Sequence, residues 1–192
     1  MKVSIITISL NSASTIKDCI SSVDRQSYCN IEHIIIDGGS ADGTLEIIQN
    51  STGRISAFIS EPDKGIYDAL NKGLDLATGD IIGILHSDDY FASEETISRI
   101  VEKFSADVKK TDGIYGDLVY VKTFPQEKII RYWKSNPFKY ENLKKGWMPP
   151  HNTLFLRKEV YDKHGKFDIS FMIASDIDFM IKVFSDETLR LE

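Results

Sequence analysis

Residues 80–90, reading DIIGILHSDDY, constrain the fold of this chain more than any other stretch. Ile81, Ile82, Ile84 and Leu85 make a short, almost unbroken apolar run, the pattern of a strand buried on both faces of a parallel sheet. The run stops abruptly at His86, Ser87, Asp88 and Asp89. Neighbouring carboxylates at the carboxyl end of such a strand lie where open α/β sheets hold their ligands. Side by side they repel. A hard divalent cation, Mn2+ or Mg2+, prefers oxygen ligands, commonly shares them with phosphate, and offsets that repulsion. The plainer alternative is that Asp88 or Asp89 caps the helix predicted over residues 94–104.

Strands and helices alternate on both sides of this run. Strands are predicted over residues 3–10, 32–36 and 55–60, each followed by a helical pattern. The first helix places Ile16, Cys19, Ile20 and Val23 on one face, with Ser12 or Ser14 as its cap, and Asp42 caps the second. The third covers residues 66–77 and ends at Thr78-Gly79. Such alternation means βαβ units and a mostly parallel sheet. Right-handed crossovers then bring Asp37, Asp88 and Asp89 to one rim, with residues 61–65 close by. The second half is less regular. Strands are predicted over 113–120 and 128–133 as a hairpin or mixed-sheet edge, and over 153–156. Helices follow over 158–164 and from Asp176 and Asp178 onward.

The 192 residues suffice for one domain with a real core, taken as 1–190, with a first half to about 105 and a second half from about 106. Leu191–Glu192 reads as a cloning-site remnant, and the chain as one cut short after its last helix. A net charge of -6 argues against a nucleic-acid grip. Lys134, Lys139, Lys144 and Lys145 form either a local basic patch or, more simply, a solvated face. No apolar stretch approaches the ~20 residues of a membrane span, and none forms a secretory leader. Cys19 and Cys29 give neither metal spacing nor a disulfide framework, which fits a reducing cytoplasm.

Asp37 ends the second strand and precedes Gly38-Gly39. A carboxylate there can accept hydrogen bonds from a ribose or a base, and the glycines let a ligand approach the backbone. It can equally tie down its own turn. A dinucleotide fold would need G-x-G-x-x-G after the first strand, where this chain has Leu10-Asn11-Ser12-Ala13-Ser14.

Four stretches together resemble the inverting family 2 glycosyltransferases, in particular bacterial members that build capsule, colanic-acid or lipopolysaccharide glycans. They are IIIDGGSADGT (34–44), SEPDKGIYDALNKGLDLATGDIIGILHSDDY (60–90), PPHNTLFLRKEV (149–160) and FMIASDIDFMIKV (171–183). The resemblance spans essentially the whole chain. It implies an α/β GT-A fold, a Rossmann-like mostly parallel sheet flanked by helices with a small mixed-sheet edge. It also implies a nucleotide-sugar donor, commonly a UDP-sugar, with Mn2+ or Mg2+. Residue by residue, it puts Asp37 on the uracil side of the nucleotide and Thr7, Ser9, Asn11, Gly38, Gly39, Asp63 and Lys64 around the donor. The family's DxD motif falls on His86-Ser87-Asp88, with histidine in place of the first aspartate. Metal ligation is therefore assigned to Asp88 and Asp89, leaving His86 a ribose or phosphate contact or a structural loop histidine. Asp176 matches the general base. An inverting transfer needs one, because the acceptor hydroxyl attacks C1 opposite the leaving diphosphate. Without the resemblance, Asp176 reads as a helix cap. His151 is either a phosphate, metal or acceptor contact or structural.

The implied activity is transfer to a saccharide or lipid-linked saccharide, with peripheral contact at the inner membrane face. A second reading is a catalytically weak nucleotide-sugar-binding subunit that needs a partner.

Overall fold

A computed structural model describes residues 1–106, 110–122 and 128–192. Strand β1 (Val3–Ser9) is buried at all seven positions and lies at the sheet's centre, as its near-continuous apolar sequence requires. Parallel to it run β2 (Ile31–Asp37), β3 (Ile55–Ser60) and β4 (Ile81–Ile84). The crossovers carry helices α1 (Ile16–Asp24), α2 (Thr44–Gln49) and α3 (Ile66–Leu76), and α4 (Thr96–Ala106) follows β4. The six-stranded sheet has the order β3-β2-β1-β4-β8-β5, where β5 is Gly113–Ile114 and β8 is Phe155–Arg157.

Helices cover both faces. On one, Ile6, Ile34, Ile36 and Leu156 pack against Leu70 and Leu74 of α3 and against Phe179, Val183 and Phe184 of the last helix. On the other, Val3, Ile5 and Ile81 meet Cys19 and Val23 of α1 and Ile97, Val101 and Phe104 of α4. Cys19 is a fully buried core residue whose thiol burial pushes up to about 12. At the amino end of the sheet, Glu32 accepts hydrogen bonds from Ser4 Oγ, Thr78 N and Gly79 N and pairs with Lys2. Burial raises its pKa, but these partners outweigh burial and hold it near 2.

The segment expected as one strand over 113–120 divides. Gly113–Ile114 joins the main sheet through β8, whereas β6 (Leu118–Lys122) pairs antiparallel with β7 (Lys128–Trp133) in a separate ribbon. Between them, Asp117 accepts hydrogen bonds from Ser135 N and Ser135 Oγ and turns the chain out of the sheet. The short helix α5 (Tyr140–Leu143) and a 3-10 turn (His151–Thr153) lead into β8, and α6 (Lys158–His164) and α7 (Ser175–Phe184) follow. Leu191 bridges Gly113, and Glu192 exchanges backbone bonds with Gly113 and Tyr115. The expected caps divide: Asp42 Oδ1 accepts from Thr44 N, the first residue of α2, at 3.1 Å, whereas the Ser12 hydroxyl bonds across to Ser87 instead of to α1.

Candidate active site

In-register pairing of Ser9 with Asp37, and of Asp37 with Ser60, sets the carboxyl ends of β1, β2 and β3 at one level. Asp37 is fully buried there. Its Oδ2 accepts from Gly39 N (3.0 Å), Ser40 N (2.9 Å) and Ser60 Oγ (2.9 Å), and Oδ1 accepts from Ser40 Oγ (2.5 Å). Its side chain, expected to face a ligand, is turned into its own loop, because the tight Gly38-Gly39 turn presents backbone donors to it. Asn11 sits at φ 51° and laces the same loop, donating its N–H to Ser40 Oγ (2.7 Å) and accepting from Ala41 N at 2.9 Å. Asp63 folds over Gly38 so closely that a Cβ added at Gly38 would stand 2.5 Å from Asp63 Oδ2. Gly39 has φ +90°, a conformation that favours glycine. Lys64 lies exposed at the lip beside Asp63.

Two residues of β1 part company. Thr7 points into the interior, with its hydroxyl 2.9 Å from His33 Nε2. Ser9 Oγ is buried at the rim and has no hydrogen-bond partner among the described residues.

The second group of residues gathers at the end of β4. Strand β8 runs antiparallel to β4, with Gly83 opposite Phe155, so residues just before β8 lie beyond the carboxyl end of β4. His151 and Asn152 thereby meet the loop that carries His86, Asp88 and Asp89. The His86 and His151 rings stand edge to face at 5.8 Å. Asn152 Nδ2 donates to Asp89 Oδ2 at 2.5 Å. Asp88 is exposed. Ser87 Oγ lies 2.8 Å from Ser12 Oγ and ties this loop to the one after β1.

Across from His151, α7 begins at Ser175 after Ala174, which adopts φ 75°. Asp176 in its first turn accepts a hydrogen bond from the Tyr67 hydroxyl on Oδ1 at 2.8 Å, while Oδ2 stands 3.5 Å from His151 Nδ1. Helices α3 and α7 come together here because both pack on the same face of the sheet. The positive end of α7 favours the charge on Asp176.

Burial lowers the pKa of His86, against the opposing pull of Asp89, so the ring is neutral near pH 7. Burial and then the neighbouring Asp88 raise Asp89, with Asn152 and the two histidines only partly offsetting them. An under-compensated carboxylate pair at a sheet rim fits a hard divalent cation. Among the described residues no three His, Cys, Asp or Glu side chains form a cation cage, so a cation held here would share its shell with ligand oxygens.

Tyr67, Asn152 and the Ser12–Ser87 contact were not anticipated from the sequence. A polar tip on an otherwise core-facing tyrosine is the one signal that pointed to Tyr67, since a buried tyrosine hydroxyl needs a partner. A cleft of about 330 Å3 opens between α3 and α7, with His86, His151, Tyr67 and Asp176 on its wall. Among the described residues no helix is long and apolar enough to cross a membrane.

The sequence profile described as Glycosyl transferase family 2 matches residues 4–165. A PGL/p-HBAD biosynthesis glycosyltransferase of Mycobacterium tuberculosis is 30% identical over 189 residues, which are 97% of this chain and 71% of that protein. An uncharacterized glycosyltransferase of the same species is 32% identical over 185 residues, covering 94% and 68%. Among solved structures, S. aureus TarS 1-349 in complex with UDP-GlcNAc superimposes with a TM-score of 0.77 at 20% identity. It covers 96% of this chain and 53% of that one. The mannosyltransferase PcManGT from Pyrobaculum calidifontis, in complex with GDP-Man and Mn2+, gives a TM-score of 0.73 at 18% identity, covering 99% and 53%. At these identities the two structures speak for the fold alone, and this chain spans about half the length of each.

Proposed function

The chain belongs to glycosyltransferase family 2, and on that premise we propose that it transfers a glycosyl group from a UDP-sugar, with inversion, to a saccharide or lipid-linked saccharide. The observation that carries this reading is the cleft whose wall holds the His86–His151 pair and the Tyr67–Asp176 hydrogen bond, with Asp88–Asp89 on the same loop as His86. An inverting transfer needs a site for the leaving diphosphate and, across the sugar, a base for the acceptor.

Asp88 and Asp89 would hold Mn2+ or Mg2+, whose charge when bound lowers the cost of diphosphate departure. Asn152 orients Asp89 through its amide. Neutral His86 and the adjacent His151 offer ring nitrogens to the donor's phosphates or sugar. Tyr67 donates to Oδ1 of Asp176 and holds the carboxylate so that Oδ2, 3.5 Å from His151 Nδ1, takes the acceptor proton. As that proton moves to Oδ2, the acceptor oxygen forms its bond to C1. The bond from C1 to the phosphate oxygen breaks, and its electron pair leaves with the diphosphate. Ser9 Oγ, Asn11, the Gly38–Gly39 backbone, Asp63 and Lys64 line the nucleoside end. Asp37 serves there by fixing the loop's shape. We assign the protein a part in building cell-surface polysaccharide in the cytoplasm, at the inner membrane face when the acceptor is lipid-linked.

UDP release on mixing UDP-sugars, Mn2+ and glycan acceptors tests the proposal. Release above that seen without acceptor is the expected result. UDP binding without any transfer would point instead to a binding subunit.

A further inference from the structure

The cleft beside Asp176 has two unlike walls. One carries His86, His151, the Tyr67 hydroxyl and the Asp176 carboxylate. The remainder is apolar: Ile66 and Leu70 from α3, Phe167, Ile173, and Ile177 and Met180 from α7. The apolar surface continues outward over the segment that enters α7. Met172 is 95% exposed and Ile173 83%, and Ile66 and Ile177 also face solvent in part. Exposed apolar side chains clustered at the lip of a cleft mark a ligand or partner surface.

Position decides what could fill it. If Asp176 takes the acceptor proton, the reacting hydroxyl sits at Oδ2, on the cleft wall. The part of the acceptor that lies next to the sugar bearing that hydroxyl must then occupy the apolar part. Sugar rings need hydrogen-bond partners for their hydroxyls, and a polar group buried without one is disfavoured. The apolar wall supplies few. We infer that the acceptor is amphiphilic, an alkyl or aryl glycoside whose apolar group lies in the cleft between α3 and α7, directly beside the reacting hydroxyl. This rests on the proposed transfer and narrows it, because the apolar group is bound by the active site itself and not only by a distant membrane.

Calorimetric titration with methyl, n-octyl and phenyl β-D-glucopyranoside tests it, keeping the octyl compound below its micellar concentration. The octyl or phenyl glycoside should bind at least ~10-fold tighter than the methyl glycoside, the difference expected when one apolar group leaves water. Whichever of the two gains more identifies the source as alkyl or aryl. Ile173→Asp, at an exposed position that should leave the melting temperature unchanged, should abolish that preference. Ile181→Asp, on α7 outside the cleft lining, should preserve it. Equal affinity for all three glycosides, no binding of any, or an equal effect of both substitutions would overturn the inference. UDP titrations on the same samples separate it from the donor assignment: lost UDP binding with the glycoside preference intact counts against the donor, and the reverse against the apolar acceptor alone.

Discussion

Tyr67→Phe isolates one bond. The substitution removes only the hydroxyl, and with it the 2.8 Å hydrogen bond to Asp176 Oδ1. The ring stays, together with its contact to Phe167 at 5.9 Å between centroids, so packing should hold. A hydrogen bond to a charged group contributes about 1.5–3 kcal/mol, and 1.36 kcal/mol is tenfold in rate. If the bond fixes the base for proton transfer, turnover should fall by about 10- to 150-fold. If it served only stability, the same energy would appear in the urea midpoint with turnover intact. The assay is steady-state UDP release at saturating donor, paired with UDP affinity and the melting temperature. The account expects kcat to fall, with UDP affinity unchanged and the melting temperature within a few degrees. Wild-type turnover in the phenylalanine variant would refute the assignment of Tyr67 as the residue that positions Asp176.

Other outcomes follow from the same geometry. Asp37→Ala should lower stability by at least ~2 kcal/mol, because Gly39 N, Ser40 N and the Ser40 and Ser60 hydroxyls lose a fully buried acceptor; an unchanged urea midpoint would contradict this. Gly83→Ala should cost about 1–3 kcal/mol, since the new methyl would stand 2.2 Å from a Phe155 ring carbon, and an unaltered melting temperature would count against the β4–β8 packing. Burial holds His33 near 4, below the ordinary 6.5, so the unfolded chain binds the extra proton between these values. Stability present above pH 6.5 should therefore fall as pH drops towards 4, by up to about 3 kcal/mol. Urea titrations at pH 7 and 5 should show that slope in the wild type and lose most of it in His33→Gln; equal slopes would show that His33 is not its source.

Much of the fold was legible because the apolar runs of β1, β2 and β4 admit one arrangement, a sheet buried on both faces. The rim position of Asp37, Asp88 and Asp89 followed from that topology. What escaped the sequence was direction and orientation. Nothing in residues 149–157 says that β8 runs antiparallel to β4, yet that choice brings His151 and Asn152 to His86 and Asp89. The alternation that put Thr7 in a strand left its facing undetermined, and its hydroxyl went inward to His33. Asp37 could be read as ligand-facing or turn-fixing, and the donors from Gly39, Ser40 and Ser60 that hold its carboxylate within its own loop are not visible in the sequence. The division of the predicted 113–120 strand depends on bonds from Ser135 to Asp117, a contact between residues far apart in the chain.

The central claim is that Asp176 is the base of a glycosyl transfer, and Asp176→Asn tests it most directly. Asparagine keeps the size and can still accept the Tyr67 hydrogen bond on its amide oxygen, but it removes the basic carboxylate. Transfer measured as UDP release with acceptor present should fall at least ~10²-fold, while UDP affinity and the melting temperature hardly move. Near-wild-type transfer by the asparagine variant would contradict the account.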